Sequence, residues 1–597
     1  MKFSELAAYF EKIESTSSRL TITHLLAELF KKLKYEEIRK TIYLLQGRVA
    51  PMFEKIEFGM AERMVIKSII LALNLEKRLF EKQYKKVGDL GKTVAYFKKQ
   101  IKSFDEKDLS VLEVYDSLYK MAVASGVGSQ EIKITILAGL IRQLDALSAC
   151  YLVRIPIGVM RLGFSDMTVL DAFSWMVKGD KSLRQAIEKA YHVRPDLGFI
   201  GETIKKEGVE GLKKIKPEVF TPILMMRAER LSSSEEIIKK IGKTAVEPKY
   251  DGFRLQVHYN KSADRMVRLY SRNLEEVTYM YPDVIDGIKK EINAEKVILE
   301  GEAIGFDPQT GNFLPFQETV QRKRKYEIET KAKEIPLKLF VFELLYLNGK
   351  SYLNIPFLER RRTLEKIIKL TGDIFKDTIL IAPENIVEEE KKLELLFDDA
   401  ISKGLEGIIA KKLDGLYQPG ARGWNWIKFK RSYASKIEDT IDCLVMGYDF
   451  GKGKRTGFGI GAFLVGVYDK KGDRYVTVAK IGTGLSDEEW RELKKRSDKL
   501  KTDKKPAFYE VDKIMAVDVW IKPSLVVEIR ADEITRSPVH TAGRTLKPSK
   551  NGQAVEVDIP GFALRFPRLE RFRDDKRPED VTTFEELEKM FRGHKKK

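Results

Sequence analysis

Cysteine is nearly absent from this chain: Cys150 and Cys443 are the only two in 597 residues, far apart and without a CxxC or a histidine-rich neighbour. That excludes a disulfide framework and a four-cysteine zinc site. Long apolar runs are missing as well. No stretch approaches the roughly 18 apolar residues of a membrane-spanning helix, and mean hydropathy is −0.30. The opening MKFSELAAYFEKIE lacks the apolar core of a signal peptide and reads as part of the mature fold. A cytoplasmic location, or a nuclear one in a nucleated cell, is therefore expected. Several catalytic signatures also fail. Gly91-Lys92-Thr93 matches the end of a phosphate-binding loop, but the first glycine of that pattern would fall where Lys86 stands. There is no HExxH, EF-hand loop or GxSxG, so zinc hydrolysis, calcium binding and serine-hydrolase chemistry have no support.

Positive charge is abundant. Lysine and arginine total 108 against 89 aspartates and glutamates, a formal net charge of +19. Such a balance favours a polyanionic partner, nucleic acid first and an anionic membrane surface second. The plain alternative is a solubilising surface, since charged residues make up 33% of the chain, above the typical figure of about 25%. At roughly 150 residues per domain, the length implies three or four domains.

The residues divide accordingly. From Met1 to about Val209, segments such as FSELAAYFEKIE, LTITHLLAELFKKL and ITILAGLIRQLDALSACYLVRI carry apolar residues at three- and four-residue spacing, which predicts an all-helical domain. Pro217 and Pro222 then bracket a basic, extended stretch that reads as a linker. Beyond it, TAVEPKYDGFRLQVHYN, RMVRLYSRN, KVILEGEAIGF, LKLFVFELLYLNG and LEGIIAKKL read as strands with helices interleaved, a mixed α/β domain. From about Ser432, short strands with a Lys-Gly-Asp turn at 471–473 suggest a small β-barrel, for which an OB-fold is the natural choice in a basic β-domain. The predicted fold is thus multidomain α+β, with domains at 1–216, 217–431 and 432–597.

The most informative segment is Lys249-Tyr250-Asp251-Gly252-Phe253-Arg254. A lysine is a nucleophile only when neutral, a state that neighbouring cations and a closed site favour. Arg254 supplies such a charge, and an Asp-Gly turn lets backbone approach a nucleotide. The alternative is an ordinary surface hairpin. Downstream come Ser271-Arg272-Asn273, Glu300-Gly301-Glu302, Phe342-Glu343, Glu406-Gly407 and Trp426-Ile427-Lys428-Phe429-Lys430. Each is weak alone. Together they provide what nucleotidyl transfer requires: carboxylates at Glu302 and Glu406 to hold Mg²⁺ or a ribose hydroxyl, an aromatic to stack on a base, and Lys428 with Lys430 to neutralise an α-phosphate.

In this order and spacing, KYDGFR, SRN, EGEAIGF, VFELLYLNG, LEGIIAKK and WIKFK resemble the nucleotidyltransferase motifs of ATP-dependent DNA ligases of the archaeal and eukaryotic replicative type. RFPRL at Arg565–Leu569 resembles the last motif, and GDLGK with YLVRIPIGVMRLGFSD resembles the family's helical DNA-binding domain. The resemblance covers essentially the whole chain. It implies an enzyme that seals nicks in duplex DNA during replication, repair and recombination through a covalent lysine-AMP, with ATP as AMP donor and Mg²⁺, or Mn²⁺ in its place, as metal.

The resemblance also implies roles. Lys249 carries AMP, while Arg254 and Arg272 contact the nucleotide or the nick phosphate. Glu247 presents its backbone or side chain to adenine, and Phe342 stacks on it. Glu302 binds ribose or metal, and Glu406 binds metal. Lys428, Lys430 and Arg422 contact phosphate, and Arg565 orients the leaving pyrophosphate. Phe316 and Phe566 press into the minor groove beside the nick, and Arg154 and Arg161 contact phosphates from the first domain.

Three rivals stand beside this reading. An NAD-dependent ligase would carry a four-cysteine zinc module that two cysteines cannot build. An RNA ligase or mRNA-capping enzyme shares the lysine-nucleotide chemistry but not this helical first domain. A non-catalytic DNA-binding or clamp-loading scaffold would tolerate loss of Lys249. The expected partners are nicked DNA and a sliding clamp, with the enzyme a monomer away from membranes. Gln100-Ile101-Lys102-Ser103-Phe104 resembles a shortened clamp-binding peptide, although Asp105 stands where a second aromatic would follow.

Overall fold

The computed structural model describes residues 1–101, 106–324, 326–403, 405–430, 440–451, 458–548 and 555–595. Positions 102–105 of the clamp-peptide region lie outside the described residues. Contacts divide the chain into two units, Met1–Lys430 and Arg431–Lys597. No described helix is long and apolar enough to cross a membrane.

The first unit is helical from Phe3–Glu14 to Leu197–Leu212, around one core that includes Phe3, Phe10, Phe30, Phe80 and Phe173. Local signals start these helices. Ser110 and Glu113 form a capping box on Val111–Val123, and Asp89 accepts from the Lys92 amide to cap Leu90–Gln100. The Gly91-Lys92-Thr93 sequence therefore opens a helix. Its glycine is required by packing, because a Cβ at 91 would sit 2.5 Å from the Cys150 carbonyl oxygen on helix Ala146–Arg154.

The chain then enters two sheets. The strands are β1 (Arg227–Arg230), β2 (Thr244–Lys249), β3 (Phe253–Asn260), β4 (Val267–Ser271), β5 (Lys296–Gly305), β6 (Leu337–Leu347), β7 (Lys350–Ser351), β8 (Ile379–Ile381), β9 (Asn385–Val387), β10 (Gly407–Lys412) and β11 (Arg422–Lys430). One sheet runs β1-β11-β10-β2-β9; the other runs β4-β3-β5-β6-β7, with β8 beside β6. Ile223, Met226, Ile298, Leu345, Tyr417 and Trp426 share a buried cluster that draws on both sheets and on the segment before β1.

Strand β3 has an unusual inner face. Leu255, Val257 and Tyr259 join the apolar core on one side, while Gln256 and His258, on the opposite face, are just as buried. The His258 Nδ1 accepts from the Phe220 amide at 2.9 Å, so the ring's proton sits on Nε2 and donates to Gln256 Oε1. Burial, reinforced by Arg268, pushes the His258 pKa down to about 3. The unfolded chain then takes up a proton near pH 6.5 that the folded chain refuses. His258 therefore contributes stability above pH 6.5 that is lost as pH falls toward 3, by about 1.4 kcal/mol per pH unit. Thermal melts between pH 6.5 and 5 are expected to show a flatter pH dependence for His258→Gln than for the unaltered protein, because the carboxylates contribute equally to both.

The second unit is β-rich, as its short strands and turns predict. Ile441–Asp449, Ala462–Asp469 and Arg474–Ile481 form an antiparallel meander, and Val526–Arg530 pairs with the other side of the first strand. Helix Asp487–Asp498, capped by Ser486 and Glu489, packs Trp490 and Leu493 into the core. Phe566 stands at φ +53° and is 62% exposed beside Arg565, whose guanidinium lies 5.2 Å from its ring.

Candidate active site

The KYDGFR segment is the crossing between the two sheets. Lys249 is the last residue of β2 and Arg254 the second of β3, so the turn between them carries the chain from one sheet to the other. On β10, Gly407 pairs with both Lys249 and Lys430 of β11, which brings three strands' charged groups to one end of the sheet. There the Glu406 carboxylate bridges the ammonium groups of Lys249 and Lys430, the latter at 2.7 Å. Burial alone would raise the Glu406 pKa, but Lys249 and Lys430 outweigh it and hold the carboxyl below its ordinary value.

Glycines make this close approach feasible. A Cβ on Gly252 would lie 2.3 Å from the Ala303 carbonyl oxygen, and one on Gly407 would lie 2.1 Å from that of Phe429. Gly252→Ala must push the turn off β5 and displace Lys249. Displacements of about 1 Å reduce rates by roughly 100-fold, and a loss of that order in covalent AMP capture, with the fold retained by circular dichroism, is the expected result.

Opposite the lysine, Glu302 pairs in register with Arg254. Burial pushes the Glu302 carboxyl up to about 7, with Lys249 and Arg254 opposing the shift and Glu406 and Asp251 adding to it. Lys428 moves down, through burial first and then through the nearby charges of Lys430, Arg422, Lys249 and Arg272. Lys249, Arg254, Arg272, Arg422, Lys428 and Lys430 are among the cations lining one cleft of about 1970 Å³, whose lining also includes Glu302, Glu406, Phe316 and Phe342. A space with that balance suits a polyphosphate.

Phe342 and Trp426 bring aromatic rings to the same lining. Phe342 meets Trp426 edge-on at 6.0 Å and lies beneath Arg254 and Lys411. Lys411 donates to the Phe342 carbonyl at 2.9 Å and pairs with Glu247 at 2.7 Å, with Arg361 3.5 Å from the same carboxylate. The Glu247 side chain is thus engaged within the wall.

Arg254 also has partners. Its Nη1 donates to the Met226 carbonyl at 2.8 Å and its Nη2 to Glu300, while its Nε is buried with no acceptor among the described residues. Arg272 follows β4 at the cleft margin and Arg422 opens β11 there. The phosphate contact expected of Arg154 requires correction. Its side chain is buried, bonded to Glu14 at 2.7 Å and to Asp89 at 3.1 Å, because it closes the interface that Gly91 opens. Arg161, at φ +59° and about one-third exposed, pairs with Asp89 Oδ2 at 3.0 Å, an oxygen that Arg154 also contacts. Arg565 and Phe566 belong to the second unit.

Sequence reasoning gave no role to Glu300, Gln256, Lys411 or Tyr417. Glu300 lies within EGEAIGF and Lys411 within LEGIIAKK. For Gln256, the signal was a polar residue in a strand whose neighbours are apolar. Tyr417 sits in a loop with no pattern of its own.

A strand crossing that ends in a lysine, flanked by carboxylates, cations and an aromatic ring, defines a nucleotidyltransferase domain. The family description "ATP dependent DNA ligase domain" matches residues 225–430, "DNA ligase N terminus" matches 2–174, and "ATP dependent DNA ligase C terminal region" matches 456–576. The chain belongs to the ATP-dependent DNA ligase family. It is 48% identical over 597 residues to a probable DNA ligase of Dictyoglomus turgidum, covering 100% of this chain and 98% of that one. It is 42% identical over 610 residues to the DNA ligase of Saccharolobus solfataricus, with 100% and 98% covered. The solved structure titled Pmar-Lig_PreS3 shares the fold at a TM-score of 0.53 and 17% identity, covering 95% of this chain and 99% of that one.

Proposed function

We propose that Lys249 is the residue through which this ATP-dependent DNA ligase carries AMP, and that it seals single-strand nicks in duplex DNA by three transfers. The observation that carries this reading is the placement of Lys249 at the sheet crossing, paired with Glu406 and facing a cleft crowded with cations. In the first transfer the Lys249 Nζ attacks the α-phosphorus of ATP. The bond to the β-phosphate oxygen breaks, pyrophosphate leaves, and the proton lost from nitrogen passes to Glu406 or to water. In the second, an oxygen of the nick's 5′-phosphate attacks the same phosphorus, the P–N bond breaks, and Lys249 recovers a proton. In the third, the 3′-hydroxyl attacks the 5′-phosphate, the P–O bond to AMP breaks, AMP leaves, the hydroxyl proton passes to water and the strand is closed. Arg254, Arg272, Arg422, Lys428 and Lys430 hold the phosphates and neutralise charge as it develops. Phe342 stacks on adenine, with the Glu247 backbone at its edge.

Magnesium fits this donor set. Among the described residues no group of three or more metal-ligating side chains stands together, and two carboxylates suit an ion that takes its remaining ligands from phosphates and water. Glu302 and Glu406 would hold it, and the bound ion supplies positive charge against the phosphates.

The helical domain (1–216) and the OB domain (432–597) are read as clamping the DNA around the central domain (217–431), with Arg161, Phe316 and Phe566 at the duplex and Arg565 at the pyrophosphate. The enzyme acts as a monomer in the compartment that holds the DNA, the cytoplasm and its nucleoid or a nucleus, and docks on a sliding clamp near Gln100. Gln100→Ala with Phe104→Ala is expected to weaken clamp affinity, measured by surface plasmon resonance. The test of the function is conversion of nicked circular DNA to covalently closed circles with ATP and Mg²⁺. Closure with ATP supports the reading; DNA binding without closure contradicts it.

A further inference from the structure

The segment joining the helical domain to β1 is held in a manner that a passive linker does not require. Phe220, Ile223 and Met226 each have both backbone groups bonded to side chains. The Phe220 amide donates to His258 Nδ1 at 2.9 Å, and its carbonyl accepts from Tyr270 at 2.7 Å. The Ile223 amide donates to Gln256 Oε1 at 2.8 Å, and its carbonyl accepts from Gln256 Nε2 at 2.9 Å. The Met226 amide donates to the Tyr417 hydroxyl at 2.9 Å, and its carbonyl accepts from Arg254 at 2.8 Å. Three of these clamps, Arg254, Gln256 and His258, are alternate residues on one face of β3.

The clamps form one network. Gln256 Nε2 and the Tyr417 hydroxyl donate to opposite oxygens of Glu300, at 3.0 and 2.9 Å, and Arg254 shares the second oxygen. Gln256 thus uses both ends of its amide, and its orientation is fixed by partners that only donate or only accept. Phe220 is held at φ +76°, a left-handed conformation rare for a side chain of that size. On the opposite side of the segment, the Leu224 amide donates to the carbonyl of His192 at 2.9 Å, at the end of helix Arg184–Val193. The Leu224 carbonyl accepts from Gly420 at 2.9 Å, two residues before Arg422. Gly420 lies against the His192 ring, where a Cβ would approach to 2.8 Å.

We propose that residues 220–226 form a strap that transmits engagement of DNA by the helical domain to the nucleotide cleft, with Gln256 as the positioning residue that holds it. The strap touches the helical domain at His192 and the cleft at two cations, directly at Arg254 and through Gly420 at Arg422. A shift of helix Arg184–Val193 therefore reaches both phosphate-binding groups through hydrogen-bonded backbone. This rests on the reading above that Lys249 carries AMP and the helical domain binds DNA. Gln256 itself lies under the strap, away from the cleft lining.

The test uses the full-length protein with Gln256→Met, which keeps the volume and removes four hydrogen bonds. Tyr270→Phe, which removes only the hydroxyl on Phe220, serves as the milder second variant. Amide exchange of the peptide spanning 217–228 is expected to be slow in the unaltered protein and faster in both variants, with β5 and β6 unchanged. Covalent AMP capture without DNA requires no shift of the helical domain to be relayed and keeps the Glu300 contact of Arg254, so it should fall far less, within about 3-fold. Single-turnover sealing of a pre-adenylated nick should slow about 30-fold in Gln256→Met and several-fold in Tyr270→Phe, magnitudes suited to small displacements of positioning groups. Equal losses of AMP capture and sealing, or sealing that stays fast while the peptide exchanges freely, would overturn the strap while leaving the function intact. Failure of the unaltered protein to capture AMP would overturn the functional reading and the proposal with it.

Discussion

Lys249→Ala is expected to abolish nick sealing with ATP, by at least 10⁴-fold, a typical scale for removing a nucleophile. Neither neighbour can replace it. Lys430 stands on β11, across β10 from the β2–β3 crossing, and Lys428 lies two residues earlier on β11, opposite Ile409. The same variant should still close a nick whose 5′ end already carries AMP, because the third transfer uses the 3′-hydroxyl as nucleophile and needs no amine. Parallel assays on unmodified and pre-adenylated nicks check this. Loss of both to the same extent would mean that Lys249 supports the cleft's shape, and retention of both would favour a scaffold without chemistry.

The second large effect concerns stability. Arg360 and Glu343 are each only 1% exposed at the side chain and form a two-point ion pair at 2.7 and 2.8 Å. Arg360 also donates to the Gly415 carbonyl at 2.9 Å, so one guanidinium joins helix Phe357–Ile367, strand β6 and the loop that carries Tyr417. Removing one partner leaves a buried charge uncompensated. Arg360→Met should therefore destabilise the central domain by about 3–5 kcal/mol, a fall of roughly 10 °C in melting temperature for a domain of this size. Glu343→Met combined with Arg360→Met removes both charges and should recover much of that loss. Differential scanning calorimetry of the single and double variants measures the coupling directly. Additive losses would show that the pair contributes through packing alone.

Neither Arg360 nor the strap is legible in the sequence, and the reason is physical. FLERRRTLEKI has the spacing of a helix, and of its three successive arginines Arg360 and Arg361 are buried while Arg362 is exposed. Periodicity identifies the helix but not which charges find buried partners from β6 and β2. Likewise Arg254, Gln256 and His258 alternate with Leu255, Val257 and Tyr259, the pattern of a strand with one face in water. That face is covered by residues 220–226, a stretch whose one proline, Pro222, with Pro217 before it, marks only a linker. Arg154 misleads in the same way, because its basic motif reads as a surface feature while Asp89 and Glu14 come from other helices.

The elements themselves were readable. Strand patterns place KYDGFR, EGEAIGF, LEGIIAKK and WIKFK on β2–β3, β5, β10 and β11, and the structure brings them to one cleft. WIKFK, which alone reads as a solvated edge, is an interior strand between β1 and β10. Motif glycines explain themselves only in three dimensions: Gly252, Gly301 and Gly407 stand where Ala303, Phe340 and Phe429 carbonyl oxygens leave no room for a Cβ.

The central claim is the identity of the nucleophile. Incubation with α-labelled ATP and Mg²⁺ in the absence of DNA, followed by denaturation and peptide mapping, tests it most directly. The label should survive denaturation, map to the peptide containing Lys249, and move to the 5′ end of nicked DNA when that is added without further ATP. A label on Lys428 or Lys430, or no covalent label from a folded protein that binds ATP, would contradict it.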